Sequence, residues 1–178
     1  AGGESSSQLY INEDGTAVVI TGHPDIGGSR ASMVNIVAEK LGIDYRNVKA
    51  QIGDTNTVGI SAVTGGSRVT FAAGIVVDEA TDQVINTLKA RAAGIWGIDV
   101  EAVEWRDGAA YPASPNAGDF EPLTLPELAK KAVATGGPIM ASVSKTTAGH
   151  MGVVGAHMVD VEVDRETGRV KILRYTAS

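Results

Sequence analysis

Two copies of one tetrapeptide carry the residues of this sequence that are best suited to chemistry. Gly27-Gly28-Ser29-Arg30 and Gly65-Gly66-Ser67-Arg68 are identical, and each stands between a stretch with strand character and a run with helical spacing of apolar residues. Paired glycines permit a tight turn, serine can cap a helix, and arginine adds a fixed cation. Because a helix N-terminus exposes N–H groups, each copy is a candidate anion site, above all for phosphate. An ordinary strand-to-helix turn is the alternative that the pattern leaves open.

The similarity between the two copies extends through the helices that follow them. The first helix ends in Leu41-Gly42-Ile43-Asp44 and the second in Trp96-Gly97-Ile98-Asp99, and in both cases three residues and a valine come next. The glycines fit the position just past a helix end, and the aspartates fit caps of a short turn. We therefore predict an internal repeat, residues 27–52 and 65–106, of loop, helix, turn and strand. Two related units suggest that two anion-binding turns face one ligand.

Composition limits the classes of function that this chain can have. Its 178 residues, 43% of them apolar, predict a single domain or one compact piece of a larger one. A net charge of −6 argues against a nucleic-acid-binding surface. No apolar run is long enough to span a membrane and no signal-peptide pattern opens the chain, so we expect a cytoplasmic location. We also expect a bacterial source. The absence of cysteine excludes disulfides and any iron–sulfur cluster held by this chain.

Periodicity and turn signals predict an α+β fold. We expect strands over residues 8–12, 16–21, 47–52, 100–106, 139–146, 156–163 and 169–175, and helices over residues 29–41, 67–94 and 125–134. Residues 1–7 are predicted to be loose, residues 53–66 to form a long polar loop, and residues 109–122 to form a surface excursion. The result is mixed sheets with β-hairpins at both ends and two main helices.

Few other residues suggest catalysis. His23 and Asp25 could form an acid–base pair, but the intervening proline favours a solvated loop. We predict a loop position without a catalytic role for His150 and a structural role for His157. Asp54-Thr55 fits turn chemistry better than a cation site. With no P-loop, no nucleophile elbow and no His-Glu-x-x-His, we assign no catalytic residue and no metal ligand in this chain.

Several short segments, taken together, resemble one known family. The matching segments, in chain order, are Asn12 to Thr16, Thr21 to Gly28, Ala38 to Gly42, Gly53 to Thr55, Thr64 to Thr70 and Val161 to Val170. They resemble the molybdopterin-binding subunit of the xanthine dehydrogenase and aldehyde oxidase family, and the resemblance covers nearly the whole chain in order. The chain looks like one piece of the second molybdenum-binding domain of that subunit.

The resemblance implies which residues approach the molybdenum cofactor. The first contact would be made by Gly27 and Gly28, although the family commonly has a glutamine between these two glycines and the turn here is one residue shorter. The second contact would be made by backbone N–H and hydroxyl groups that hold pterin or phosphate oxygens. The residues of this second contact are Gly65, Gly66, Ser67, Arg68 and Thr70. The implied cofactor is molybdopterin, with the cytosine dinucleotide as one form.

By the same resemblance, the whole enzyme would oxidise a small-molecule substrate, either an aldehyde or an N-heterocycle. Its electrons would pass to iron–sulfur and FAD partners on other chains or domains, and this chain would assemble with the rest of the molybdopterin subunit. The family's catalytic glutamate lies in a later segment and another cofactor loop lies in an earlier one, and neither has a match here. The alternative, from another class, is a non-catalytic scaffold that keeps the fold without the cofactor site.

Overall fold

The computed structural model describes residues 3–113, 117–149 and 154–178, and these form the predicted mixture of helices and sheets. The strands are β1 (Gly3–Ile11), β2 (Ala17–Thr21), β3 (Val48–Ile52), β4 (Val103–Arg106), β5 (Ala109–Pro112), β6 (Leu123–Thr124), β7 (Met140–Thr147), β8 (His157–Val163) and β9 (Val170–Ala177). The helices are α1 (Ser29–Leu41), α2 (Val69–Trp96), α3 (Leu125–Lys130) and α4 (Ala132–Thr135). The α+β class predicted from the sequence is thereby confirmed. His150 lies outside the described residues.

The main sheet has the strand order β3-β2-β1-β7. β1 runs antiparallel to both β2 and β7, while β3 runs parallel to β2, with α1 as the connection between them. The turn between β1 and β2 is the predicted hairpin, in which the Asp14 carboxylate accepts hydrogen bonds from the N–H and the hydroxyl of Thr16. Gly15 completes that turn with φ +83°.

Two segments expected to lack regular structure are strands, and those predictions were wrong. Residues 3–7 form the first half of β1, where Ser5 and Ser7 are buried and pair with β7. Small polar residues give no hydrophobic alternation, so the sequence pattern could not reveal this pairing. Residues 109–112 form β5, paired with β4, because the Asp107-Gly108 turn folds the chain back on itself.

The two main helices pack side by side against the sheet and run in the same direction. The Cδ1 atom of Ile36 lies 3.6 Å from where a Cβ of Gly74 would be, and Lys40 Nζ lies 2.8 Å from a carboxylate oxygen of Asp78. Both pairs join residues 38 positions apart, the same offset as between the two Gly-Gly-Ser-Arg copies. The N-termini of α1 and α2 therefore lie at the same end of the helix pair.

The C-terminal ends of α1 and α2 agree with the predicted internal repeat, but the strands that come after these helices do not. Gly42 and Gly97 both end their helices in the left-handed conformation, with φ +71° and +70°. The Asp44 carboxylate caps the next turn by accepting the Arg46 N–H, whereas Asp99 makes no such side-chain bond. β3 then joins the main sheet, while β4 pairs with β5 in a separate sheet of three strands.

The C-terminal part of the chain follows its sequence signals closely. Thr124 and Glu127 form the predicted capping box at the start of α3, and the helix expected over residues 125–134 divides into α3 and α4 at Lys131. β8 and β9 form the predicted antiparallel hairpin, in which the Tyr175 hydroxyl lies 3.1 Å from His157 Nδ1. None of the described helices is both long and apolar enough to cross a membrane.

Candidate functional site

A cavity of about 410 Å³ opens at the N-terminus of α2. It is lined by Ile26, Thr64, Gly65, Ser67, Arg68, Val69 and Thr70, and we call it the α2 cavity. The second tetrapeptide and the residues on either side of it thus supply six of these seven residues, and the loop before α1 supplies one apolar side chain. The long loop is held beside the first half of β1 by two hydrogen bonds, from the Ala62 N–H to the Glu4 carbonyl and from the Ser6 hydroxyl to the Ile60 carbonyl. This anchoring fixes the tetrapeptide at the edge of the cavity.

The N-terminus of α2 is uncapped. No side chain caps it, and in the described part of the chain the N–H groups of Val69, Thr70 and Phe71 have no acceptor. Such N–H groups, together with the helix dipole, attract anions. Ser67 precedes them with φ +55°, a conformation that is rare for residues other than glycine and that costs about 1–3 kcal/mol. Backbone strain of this kind is frequent where a chain is shaped to hold a ligand.

Arg68 is buried directly behind this helix end, with only 6% of its surface exposed. Its guanidinium donates hydrogen bonds to the carbonyls of Gly3 and Val63 and to the hydroxyls of Ser5 and Thr147, at 3.1 to 3.4 Å. All four acceptors are neutral, and no carboxylate among the described residues pairs with this cation. A buried charge without a counterion is costly. Positive charge at this helix end is therefore unbalanced, and a bound anion would neutralise it.

The turn before α1 has the same tetrapeptide but different contacts. The Asp25 carboxylate accepts the N–H of Arg30 at 3.0 Å and pairs with the Arg30 guanidinium at 3.3 Å. The Ser29 hydroxyl accepts the N–H of Ile26 instead of capping the helix. Because the chain's own carboxylate occupies this helix end, the first turn is less suited to a second anion than the N-terminus of α2.

The remaining predicted site residues differ in their relation to the α2 cavity. Gly27 and Gly28 do not line it; both have positive φ, and a Cβ at either position would meet no atom within 4 Å. Gly66, with φ +64°, adjoins the lining residues and shapes the turn between them. Asp54 is a turn residue whose carboxylate accepts the Asn56 N–H. Within residues 3–113, 117–149 and 154–178, no cluster of side chains could hold a metal ion.

His23 is buried, with 1% of its surface exposed, so the prediction of a solvated loop was wrong. Its Nε2 lies 3.0 Å from the Ser5 hydroxyl, and its Nδ1 has no partner among the residues that the structure describes. The acid–base pair with Asp25, which the sequence made the less favoured alternative, is absent as well, because that carboxylate binds Arg30. Burial lowers the pKa of His23, and the positive charge of Arg68 lowers this pKa further. The polar residues around His23 in sequence gave no sign that the chain turns inward after β2.

The lowered pKa of His23 predicts a loss of stability in mild acid. The unfolded chain binds a proton near the ordinary value of 6.5, whereas the folded chain resists protonation. The free energy of unfolding should therefore fall as the pH drops below about 6.5, by at most about 1.4 kcal/mol per pH unit. Urea unfolding between about pH 5 and pH 8 measures this slope. A His23→Gln variant serves as the control, and an equal slope in that variant would contradict the assignment to His23.

Comparison with known proteins identifies the family. A family model described as "Molybdopterin cofactor-binding domain" matches residues 1–178. The chain belongs to this family. Aldehyde oxidase 1 of Macaca fascicularis is 30% identical over 90 residues, which are 50% of this chain and 7% of that protein. This membership confirms the resemblance to the xanthine dehydrogenase and aldehyde oxidase family that the sequence motifs carry.

Solved structures show the same fold. Cu,Mo-CO dehydrogenase superposes with a TM-score of 0.80 at 21% identity over 97% of this chain and 22% of its own. Quinoline 2-oxidoreductase from Pseudomonas putida 86 gives a TM-score of 0.74 at 22% identity over 98% of this chain and 23% of its own. The present chain of the molybdopterin cofactor-binding family thus spans about a fifth of the length of these structural relatives.

The lining of the α2 cavity fits the chemistry of molybdopterin. Uncapped N–H groups, the hydroxyls of Ser67 and Thr70, and the positive charge of Arg68 suit the cofactor's phosphate and polar ring edges. Ile26 and Val69 offer apolar surface to a flat ring. Sequence reasoning missed these two residues and the anchors Ser5 and Thr147, since nothing in an isolated apolar or hydroxyl residue signals a cavity wall.

Proposed function

We propose that this domain holds the anionic end of molybdopterin at the N-terminus of α2, as part of a molybdenum hydroxylase. One observation carries the proposal: the buried Arg68 cation lies beside an uncapped helix end, and no carboxylate among the described residues balances either of them. The helix dipole and the Arg68 guanidinium both contribute positive electrostatic potential at this helix end, so a phosphate group would be bound most favourably there. Family membership supports the choice of molybdopterin over other anionic ligands.

The residues of the second tetrapeptide have separate roles in this proposal. Gly65 and Gly66 let the backbone approach the ligand closely. Ser67 and Thr70 donate hydroxyl hydrogen bonds, and Arg68 supplies charge from behind the turn. Gly27 and Gly28 make a second, weaker contact. The parallel packing of α1 and α2 supports this contact, because it brings both turns to one end of the helix pair.

The whole enzyme would oxidise an aldehyde or an N-heterocycle. The names of two relatives, aldehyde oxidase 1 and quinoline 2-oxidoreductase, support these substrate classes. The cofactor supplies the oxidation chemistry when bound, and this chain binds and orients it. We propose the cytosine dinucleotide as one form of the cofactor, and as partners the rest of the molybdopterin subunit together with iron–sulfur and FAD units. The open, intact second turn disfavours the scaffold alternative.

Inorganic pyrophosphate tests the proposed anion site directly. We expect saturable changes in the NMR chemical shifts of the backbone amides from Gly65 to Phe71 when pyrophosphate is added to the ¹⁵N-labelled chain at constant ionic strength. Changes at Gly27 and Gly28 should be smaller, because Asp25 opposes an anion there. Sodium chloride is the control for screening.

Two results would overturn the proposed anion site. One is the absence of any saturable change at the α2 N-terminus. The other is a set of changes confined to the exposed basic residues Arg46 and Lys49, which would indicate non-specific attraction. Pterin fluorescence after denaturation, with elemental analysis for molybdenum, then establishes which anion the purified full-length protein carries.

A further inference from the structure

Arg68, Ser5 and His23 form a hydrogen-bonded series of buried polar side chains that begins at the wall of the α2 cavity. Arg68 Nη2 lies 3.4 Å from the Ser5 hydroxyl oxygen, and that oxygen lies 3.0 Å from His23 Nε2. Ser5 is fully buried and His23 is 1% exposed, so water does not compete for these contacts. The three residues come from the start of α2, from β1 and from the loop after β2. They connect the wall of the cavity to the interior of the domain.

The direction of the hydrogen bonds in the Arg68–Ser5–His23 series follows from the number of protons that each side chain can donate. A guanidinium only donates, so Ser5 accepts from Arg68. The Ser5 hydroxyl proton then needs an acceptor, and within the described residues His23 Nε2 is the one in reach. If Nε2–H instead donated to the second lone pair of Ser5, two buried groups would lack a partner among the described residues, the Ser5 hydroxyl proton and the Nδ1 lone pair. With the proton on Nδ1 and Nε2 unprotonated, the Nδ1–H group alone lacks one, so this neutral tautomer is favoured.

We propose that neutral His23 is a positioning residue of the α2 cavity: it accepts a hydrogen bond from Ser5, and Ser5 in turn holds the Arg68 guanidinium behind the helix end. This inference rests on the proposed function. Protonation of His23 removes the acceptor for Ser5 and puts a second cation beside Arg68. The other polar groups around these three residues, Ser61 in the long loop and Thr147 in β7, are neutral. The nearby carboxylate in sequence, Asp25, is paired with Arg30.

The tautomer of His23 is the first test. Long-range ¹H–¹⁵N NMR spectra of the ligand-free chain at neutral pH should show His23 protonated on Nδ1. A ring protonated on Nε2 would overturn the inference whether or not the cavity binds anions. The readout is independent of ligand, so it separates this inference from the proposed function.

Substitution of His23 is the second test, with inorganic pyrophosphate as the probe. The side-chain oxygen of glutamine can accept where Nε2 does, so His23→Gln should bind pyrophosphate within about twofold of wild type, whereas His23→Leu should bind about tenfold more weakly. His157→Gln, on the exposed β8 strand, is the matched control and should change nothing.

Each outcome of this second test has a distinct meaning. Wild-type affinity in His23→Leu would overturn the positioning role. If His23→Leu fails to fold, the test falls to the folded His23→Gln variant, in which a tenfold loss of pyrophosphate affinity would overturn the positioning role. Failure of wild type itself to bind pyrophosphate would overturn the proposed function, on which the role depends.

Discussion

Replacement of Arg68 by methionine should lower the molybdenum and pterin content of the purified full-length protein by about tenfold or more. Methionine removes the buried cation and the hydrogen bonds that it donates to the Val63 carbonyl and the Ser5 hydroxyl. The electrostatic attraction at the α2 cavity would then come from the helix end alone. Elemental mass spectrometry and pterin fluorescence measure the loss.

Arg30→Met is the matched control, because Arg30 occupies the same place in an identical tetrapeptide. Arg30 is exposed and its partner is the Asp25 carboxylate, so its replacement should leave molybdenum and pterin content near the wild-type level. The opposite pattern, a loss in Arg30→Met and none in Arg68→Met, would transfer the anion site to Gly27 and Gly28. Urea unfolding of both variants separates cofactor loss from unfolding. Arg68→Lys, which keeps the charge without the planar donor array, should fall between the two.

The two tetrapeptides show how far the sequence could predict the site. Each was correctly predicted to lead into a helix, because the apolar spacing and the glycines act locally. Their different contacts arise from residues outside the predicted repeat. Asp25 occupies the first helix end, while Gly3, Ser5 and Thr147, brought together by the pairing of β1 with β7, bury Arg68 at the second. Contacts between residues so distant in sequence leave no trace in a local pattern.

The same distinction between local and distant signals explains the fold predictions. α1 was predicted with its observed bounds, and the β8–β9 hairpin nearly so, because capping glycines, alternation and turn residues define these elements. The first half of β1 was missed because its serines pair with β7, more than 130 residues away. His23 was misplaced for the same reason, since its burial depends on Ser5.

Substitution of Gly42 by alanine should destabilise the domain far more than the same substitution at Gly97. Both glycines end a helix of the repeat with nearly equal φ, +71° and +70°, so the cost of a left-handed alanine, about 1–2 kcal/mol, is common to both. A Cβ at Gly97 would meet no atom within 4 Å. A Cβ at Gly42 would lie 2.6 Å from the Gly108 nitrogen and 2.8 Å from the Asp107 Cα.

The difference between these two variants comes from backbone atoms that have little freedom to move. The 107–108 turn joins β4 to β5 in left-handed geometry, and the Trp105 indole N–H bonds the Leu41 carbonyl at the end of α1. Overpacking at such a contact costs about 1–3 kcal/mol. We therefore expect Gly42→Ala to lose about 2–5 kcal/mol of the free energy of unfolding and Gly97→Ala about 1–2 kcal/mol, as measured by urea titration. Equal losses would mean that the β4–β5 turn moves away from α1 at little cost, so that this contact does not fix the small sheet against the helix pair.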